Sequence, residues 1–407
     1  MPKRVLILSD AILAPSFSPR LTSMIRHLQQ DGWTCTLAAD NLAGQEYWTT
    51  MCEQVNMTYL PEDLSFLRRL TKQVADKLYH ARERQFAKLL LSQFSAEDFD
   101  LIFCSTFYYF PLKTAYLLSK AWHIPFVADV RDIAEQWGKT PYFTTPIPKL
   151  FGLERLIAKA YERRCIRHRN KYLSHAAHVT TVSKWHCQCL QSQISAPVSL
   201  IYNGYDEREM APKDTPSSQF SIAFTGRLIN LKLRQPQLLF QAVGELARDL
   251  SPVTCNLSLD FYCEPHFAKA LTRQAKQYGA ESFLHLHDFI SRKKTYQVLT
   301  QASVLLALGA PASEEQHGIL GTKIFEAIGV EKPFMLIPFD NDELSQLIAQ
   351  TGIGLAAQNA EEIKAFLTEQ YAIWQANGFT RQPVANKEVF TRQYQARQFE
   401  SIFAHVS

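Results

Sequence analysis

Residues 5–8 are an unbroken apolar run, VLIL, set between Lys3-Arg4 and Ser9-Asp10. A run that short and continuous marks a strand covered on both faces, as in a parallel sheet. A loop rich in Pro and Ser follows, then helical periodicity over 21–30 closed by Gly32, then a second strand at 33–38. The alternation continues with strands at 101–104, 126–129, 179–182 and 198–201 and a helix over 112–122. It breaks at 211–219, APKDTPSSQ, a polar stretch with two prolines. Beyond it come strands at 222–224, 257–261, 283–286, 304–307 and 334–337. Short apolar strands alternating with helices predict doubly wound α/β domains, and 407 residues suit two of them. The expected organisation is a Rossmann-like domain over 1–210, a linker over 211–219 and a second Rossmann-like domain over 220–385. A C-terminal helix over 386–407 is expected to pack back toward the first domain.

Composition narrows the class. Hydrophobic residues make up 46% and charged residues 20%, enough apolar material for a core in each half. The eight cysteines are scattered without a CxxC pair, so neither a disulfide framework nor a metal site is expected, and a reducing compartment suits them. The opening MPKRVLILSD runs directly into a strand and no apolar run reaches about 18 residues. A cytoplasmic protein is expected, free or peripheral on the inner face of the cell membrane. Net charge is only +4, but two stretches concentrate cations. Residues 64–94 carry Arg68, Arg69, Lys72, Lys77, Arg82, Arg84 and Lys88; residues 149–171 carry Lys149, Arg155, Lys159, Arg163, Arg164, Arg167, Arg169 and Lys171. They read either as solvated helix faces or as surfaces that dock on anionic lipid. Nucleic acid is not expected, because no recognisable binding module is present.

Doubly wound sheets bind ligands beyond the carboxyl ends of their strands, which directs attention to two segments. In GILGTKIFEAIGVEKPFMLIP, residues 318–338, a glycine-containing loop opens a helix near Thr322 and a strand follows. Backbone N–H groups at a helix start favour an anion. Gly321 permits close approach of a phosphate, Thr322 and Lys323 can bond it, and Glu326 is placed to accept both hydroxyls of a ribose. The plainer reading is a capped amphipathic helix with a surface glutamate. In the second segment a strand ends at Thr225-Gly226, Arg227 follows, and Lys232 and Arg234 precede a helix. Three cations there suit a diphosphate and the charge that grows on it as it leaves. A basic loop in solvent is the alternative.

The first segment resembles the donor-binding loop and helix of family-4 glycosyltransferases with the GT-B fold. Lys323-Ile324-Phe325-Glu326 matches their K-[L/I]-[F/Y]-E, and Glu331-Lys332-Pro333 matches the turn before the next strand. Arg227 and Arg234 fall where family members place an Arg and a Lys or Arg before an LL..A helix. FVADVRDIAEQW (126–137), TTVSKWHCQCL with PVSLIYNGYDE, and HLHDFISRKKTYQVLTQASVLLAL resemble further passages of the family, in order along nearly the whole chain.

The resemblance implies two doubly wound domains facing each other across a cleft. It implies transfer from a nucleotide-diphosphate sugar, of UDP or GDP type, to a glycan or lipid-linked acceptor in polysaccharide building, with retention, without a metal and without a further cofactor. Glu326 would hold the ribose, and Arg227, Lys232, Arg234, Gly321, Thr322 and Lys323 the diphosphate. Gly318, Ile319 and Leu320 would face the donor sugar, and His287, Phe289 and Ile290 the base. Arg131 and Asp132 would orient the acceptor hydroxyl, with Arg227 and Arg234 assisting departure of the diphosphate. Two departures stand out. Gly318 occupies the place of the first of two family glutamates, where the backbone N–H groups of 318–321, or Glu314 or Glu315 just upstream, are the available substitutes. The first loop, 14–20, lacks the family's Gly-Gly pair and offers Ser16 and Arg20 on the acceptor side. A GT-B sugar-nucleotide epimerase and an inactive GT-B binding scaffold are the alternatives.

Overall fold

The computed structural model describes residues 3–10, 19–42, 45–138, 154–231, 233–249, 251–310 and 315–406, without the side chains of Arg155 and Thr254. The chain forms two compact units, Met1–Tyr202 with Arg392–Ser407, and Asn203–Thr391.

The first unit is built on a seven-stranded sheet, with strands β1 (Lys3–Ser9), β2 (Trp33–Asp40), β3 (Glu53–Met57), β4 (Leu101–Thr106), β5 (Phe126–Val130), β6 (His178–Thr181) and β7 (Val198–Leu200). Their order is β3-β2-β1-β4-β5-β6-β7, and every pairing is parallel. Side chains of β1 alternate between two cores: Leu6 and Leu8 join Ile102, Phe126 and Val179, while Val5 and Ile7 join Met24, Trp33, Phe103 and Phe399. Burial on both faces is why these strands read as unbroken apolar runs. The C-terminal helix Arg392–Val406 belongs to the second of these cores. Phe399 and Phe403 lie edge-on to Phe103, with ring centroids 5.3 and 5.5 Å away.

The second unit repeats the plan with β8 (Phe220–Thr225), β9 (Leu257–Tyr262), β10 (Leu284–His287), β11 (Val304–Leu308), β12 (Phe334–Ile337) and β13 (Gly354–Ala356). The order is β10-β9-β8-β11-β12-β13, again parallel throughout. Helix Gln237–Arg248 packs close on one face. A Cβ added at Gly244 would stand 1.8 Å from the Tyr278 carbonyl oxygen, so a glycine is needed there.

In both sheets the chain starts in the middle, winds outward one way and then the other. Strand order therefore reverses between β1 and β4 in the first unit and between β8 and β11 in the second. In open α/β sheets, ligands bind beyond the carboxyl ends of the strands at that reversal.

Candidate functional site

The reversal of the second sheet is flanked by Gly226-Arg227 after β8 and Gly309 after β11. Arg234, from the loop that β8 feeds, lays its guanidinium against the end of β11, where Nη1 donates to the Leu308 carbonyl. Burial pushes the Arg234 pKa down, and no carboxylate among the described residues pairs with it. Other arginines of the chain are neutralised: Arg20 by Asp129, Arg169 by Glu135, Arg381 by Glu331 and Asp214. An arginine stays protonated in proteins. Arg234 is thus a half-sunk cation whose strongest available compensation is an anion from outside the chain.

Helix Lys323–Val330 sends the side chain of its first residue to the end of β8. Thr322 is its N-cap, with helical backbone and no side-chain cap bond, so its hydroxyl is not committed to the helix end. The Lys323 side chain reaches back over Gly226, its Cε 3.8 Å from where a Cβ on that glycine would be. The two segments singled out in the sequence therefore meet at one end of one sheet. Lys323 Nζ lies 2.9 Å from Glu326 Oε2, one turn along the same face, and both side chains remain partly exposed. Arg227 is exposed at the mouth of the same loop. Lys232 and Glu314 lie outside the described residues.

Gly318, at φ 66, is buried and gives its N–H to Asp342 Oδ2 at 2.5 Å. Leu320 is buried and Ile319 half-buried. Asp342 begins helix Glu343–Thr351, and Asp340 Oδ1 accepts the N–H groups of Asp342 and Ser345 at 3.2 Å each. This acidic turn after β12 holds the loop in shape and was not foreseen; a cluster of Asp and Asn directly after an apolar strand, FMLIPFDND, was its signal. The turn before β12 is structural: Lys332 is buried, its Nζ donates to the Thr380 carbonyl at 3.0 Å, and burial holds its pKa down at about 8.

On the other side of the reversal, His287 ends β10. Its Nε2 is 3.0 Å from Asp260 Oδ1, and its ring stacks on Tyr262 with centroids 4.4 Å apart. Phe289, two residues on, is 53% exposed, an apolar ring offered to solvent next to a polar-edged stack. Ile290 is half-buried.

In the first unit, Asp10 sits at the equivalent reversal, just past β1. Its carboxylate accepts the Phe107 N–H after β4 and pairs with Arg131 after β5. Burial raises the Asp10 pKa, while Arg131 and the Phe107 amide oppose the rise. Asp132 is pushed up to about 6, chiefly by burial, although Gln136 Nε2 donates to it at 2.7 Å and Arg131 is close. Asp10 was not among the expected site residues; its place two residues past an apolar strand was the available clue. Arg20 is placed differently from an acceptor-side charge. It is buried, bonded to both Asp129 oxygens at 2.9 and 3.0 Å and to the Tyr202 carbonyl at 2.7 Å, and it covers the Phe399 ring. Its guanidinium is spent on the interior of the first unit. Ser16 lies outside the described residues.

A model of Glycosyltransferase Family 4 matches residues 20–209. The matched residues are similar to a family-4 glycosyltransferase domain. Solved structures match the chain over nearly its full length. HepE of Anabaena, determined in complex with UDP and glucose, is 14% identical with a TM-score of 0.64 over 98% of this chain and 99% of that one. A glycosyltransferase of Rickettsia africae is 12% identical with a TM-score of 0.63, covering 99% and 98%. The lipopolysaccharide outer core galactosyltransferase WaaB is 14% identical with a TM-score of 0.58, covering 99% of both. A search of curated proteins finds no match. At such identities the structures establish the fold, the paired Rossmann-like domains of the GT-B type.

Proposed function

We propose that this glycosyltransferase takes its sugar from a nucleotide-diphosphate donor held in the second unit and passes it to a glycan or lipid-linked acceptor with retention of configuration. Arg234 carries the proposal: a half-buried guanidinium without a carboxylate partner among the described residues, at the strand reversal of a parallel sheet. Arg234, Arg227, Lys323 and the helix start at Gly321-Thr322 would hold the diphosphate, supplying positive charge without a metal. Lys232 has the composition to assist. Glu326, one turn in, would accept the two ribose hydroxyls while Lys323 turns from Glu326 to a phosphate oxygen. Gly318, Ile319 and Leu320 line the approach for the sugar, and His287 with Phe289 and Ile290 offers stacking and a polar edge to the base. HepE was solved with UDP and with UDP-glucose, which makes UDP the first nucleotide to test.

In the transfer, the bond from the anomeric carbon to the phosphate oxygen breaks and a bond to the acceptor oxygen forms on the same face. The acceptor proton passes to the departing phosphate oxygen, so no strong protein base is required. Arg227 and Arg234 stabilise the diphosphate as its charge grows. Asp132, with Arg131 beside it, would orient the acceptor hydroxyl in the first unit.

The test is donor binding by calorimetry together with single-turnover transfer. Losing a charged hydrogen-bonding partner costs about 1.5–3 kcal/mol, so Glu326→Ala and Arg234→Ala should each weaken UDP binding or turnover roughly tenfold to a hundredfold. Normal affinity and rate in both would sink the donor site. Conversion of the donor sugar to its epimer without acceptor would replace transfer by epimerisation.

A further inference from the structure

The first unit treats its cations differently from the second. Among the described residues, Arg20, Arg82 and Arg131 come to the carboxyl-end half of the sheet, and each meets a carboxylate: Asp129 of β5, Asp40 of β2 and Asp10 after β1. Arg234 in the second unit has no such partner among the described residues.

The Arg131–Asp10 pair is built unlike the others. Arg20 grips Asp129 as a fork, with Nε and Nη2 each on one oxygen. Arg131 reaches Asp10 through Nη2 and Oδ1, while Oδ2 accepts the Phe107 N–H. The Arg131 Nε is buried without an acceptor among the described residues, although the side chain as a whole stays partly exposed. A fork would bind more strongly; Asp10 gives it up because one of its oxygens is held by the loop after β4. Both oxygens accept from N–H groups, so Asp10 stands as a carboxylate. The backbone fixes the arrangement: the Arg131 N–H donates to the Thr106 carbonyl at 3.0 Å and the Asp10 N–H to the Ser105 carbonyl at 3.3 Å. Asp132 follows Arg131 directly, with Gln136 Nε2 on its Oδ1 at 2.7 Å.

We propose that Asp10 is a specificity-determining positioning residue: by engaging Arg131 it keeps that guanidinium from acting as an anion site and leaves Asp132 to receive the hydroxyl of an uncharged sugar, so that a phosphate at the receiving end of the acceptor is turned away.

The proposal rests on the reading of Asp132 as the group that orients the acceptor hydroxyl. Arginine is the side chain best matched to phosphate, and here its charge is already met. Two carboxylates face one guanidinium, so this end of the sheet is net negative and repels a phosphate, whereas a hydroxyl can donate to Asp132. The charges packed around it offer phosphate no unmatched cation: Arg82 is with Asp40, Arg20 with Asp129 and Arg169 with Glu135. Burial holds His186, on the helix after β6, near pKa 4 and therefore neutral. The charge of Arg131 draws the Asp132 pKa down and that of Asp10 draws it up, so the two variants below act in opposite directions.

Asp10→Asn keeps an oxygen for the Phe107 N–H and removes the charge. With the donor site filled by saturating UDP, inorganic phosphate is titrated onto the full chain by calorimetry. Asp10→Asn should bind it at least about tenfold more tightly than wild type, the worth of one charged hydrogen-bonding partner. Carbon-13 carboxylate NMR, with the Asp132 signal assigned by its loss in Asp132→Asn, gives a second readout. Its midpoint should fall by roughly one pH unit in Asp10→Asn and rise by a similar amount in Arg131→Gln; a merely structural Asp10 would move neither. Equal phosphate affinity in wild type and Asp10→Asn, or midpoints unmoved in both variants, would overturn the role of Asp10. An acid limb of the rate profile that persists in Asp132→Asn would instead sink the reading of Asp132, so the two failures are distinguishable. Should Asp10→Asn fail to fold, Arg131→Gln and the wild-type titration decide: an unmoved midpoint, or phosphate bound stoichiometrically by the UDP-loaded wild type, would overturn the proposal.

Discussion

Asp132 titrates where most carboxylates are already ionised. Burial raises it to about 6, against hydrogen bonding from Gln136 and the charge of Arg131. If its carboxylate orients the acceptor hydroxyl, it must be ionised to accept that hydrogen bond. Transfer rate should then fall as pH drops through about 6 and level off above it. Asp132→Asn should remove that limb of the kcat/KM profile while leaving UDP affinity unchanged; an unaltered profile would dissociate Asp132 from the reaction. Individual site residues were unevenly legible. Glu326, Lys323 and Arg234 could be singled out because helix starts and strand ends are local features that the sequence spells out. Asp10 and Asp342 owe their positions to partners 97 and 24 residues away, and no local pattern records such a partner. Arg20 was misjudged for the same reason: its bond to Asp129 spans 109 residues.

Helix Phe66–Tyr79 buries none of its side chains. Phe66 is 78% and Leu67 73% exposed, and Leu70, Val74 and Leu78 continue the stripe at helical spacing. Arg69 and Lys72 fold back on the carbonyls of Pro61, Glu62 and Tyr59, so the apolar face and the remaining cations are what the helix presents outward. That is the pattern of an interfacial helix, and we propose an anionic membrane surface as what it meets. No helix among the described residues is long and apolar enough to cross a membrane. Vesicles rich in phosphatidylglycerol should sediment the protein, neutral vesicles much less, and Phe66→Ser with Leu70→Ser should lower partitioning by about tenfold. Equal sedimentation of wild type and variant would exclude this helix as the contact. Among elements, the central strands were the most legible, since burial on both faces leaves an apolar run. The edge strands β3 and β13 escaped notice: EQVNM and GLA are covered on fewer sides and carry no such run.

At the scale of the whole molecule, both sheets share one winding plan, so alternation along the sequence was sufficient to read two doubly wound domains. What alternation does not record is that the first unit is discontinuous. Its core takes Phe399 and Phe403 from the far end of the chain, each almost fully buried. Removing a buried Phe side chain costs on the order of 3–5 kcal/mol. Phe403→Ala should speed hydrogen exchange of the β1 and β2 amides markedly while leaving β8 and β11 protected; uniform protection in the variant would contradict the shared core.

That discontinuity has a bearing on synthesis. Domains usually fold in the order in which they leave the ribosome. Here residues 203–391 supply a complete unit in one stretch, whereas the first sheet must wait for helix Arg392–Val406 to be translated before one of its cores is complete. The part made first is finished last. A stop introduced just before residue 392 would release a chain with an intact second unit and a first-unit core lacking Phe399 and Phe403, a product that quality-control proteases would be expected to remove.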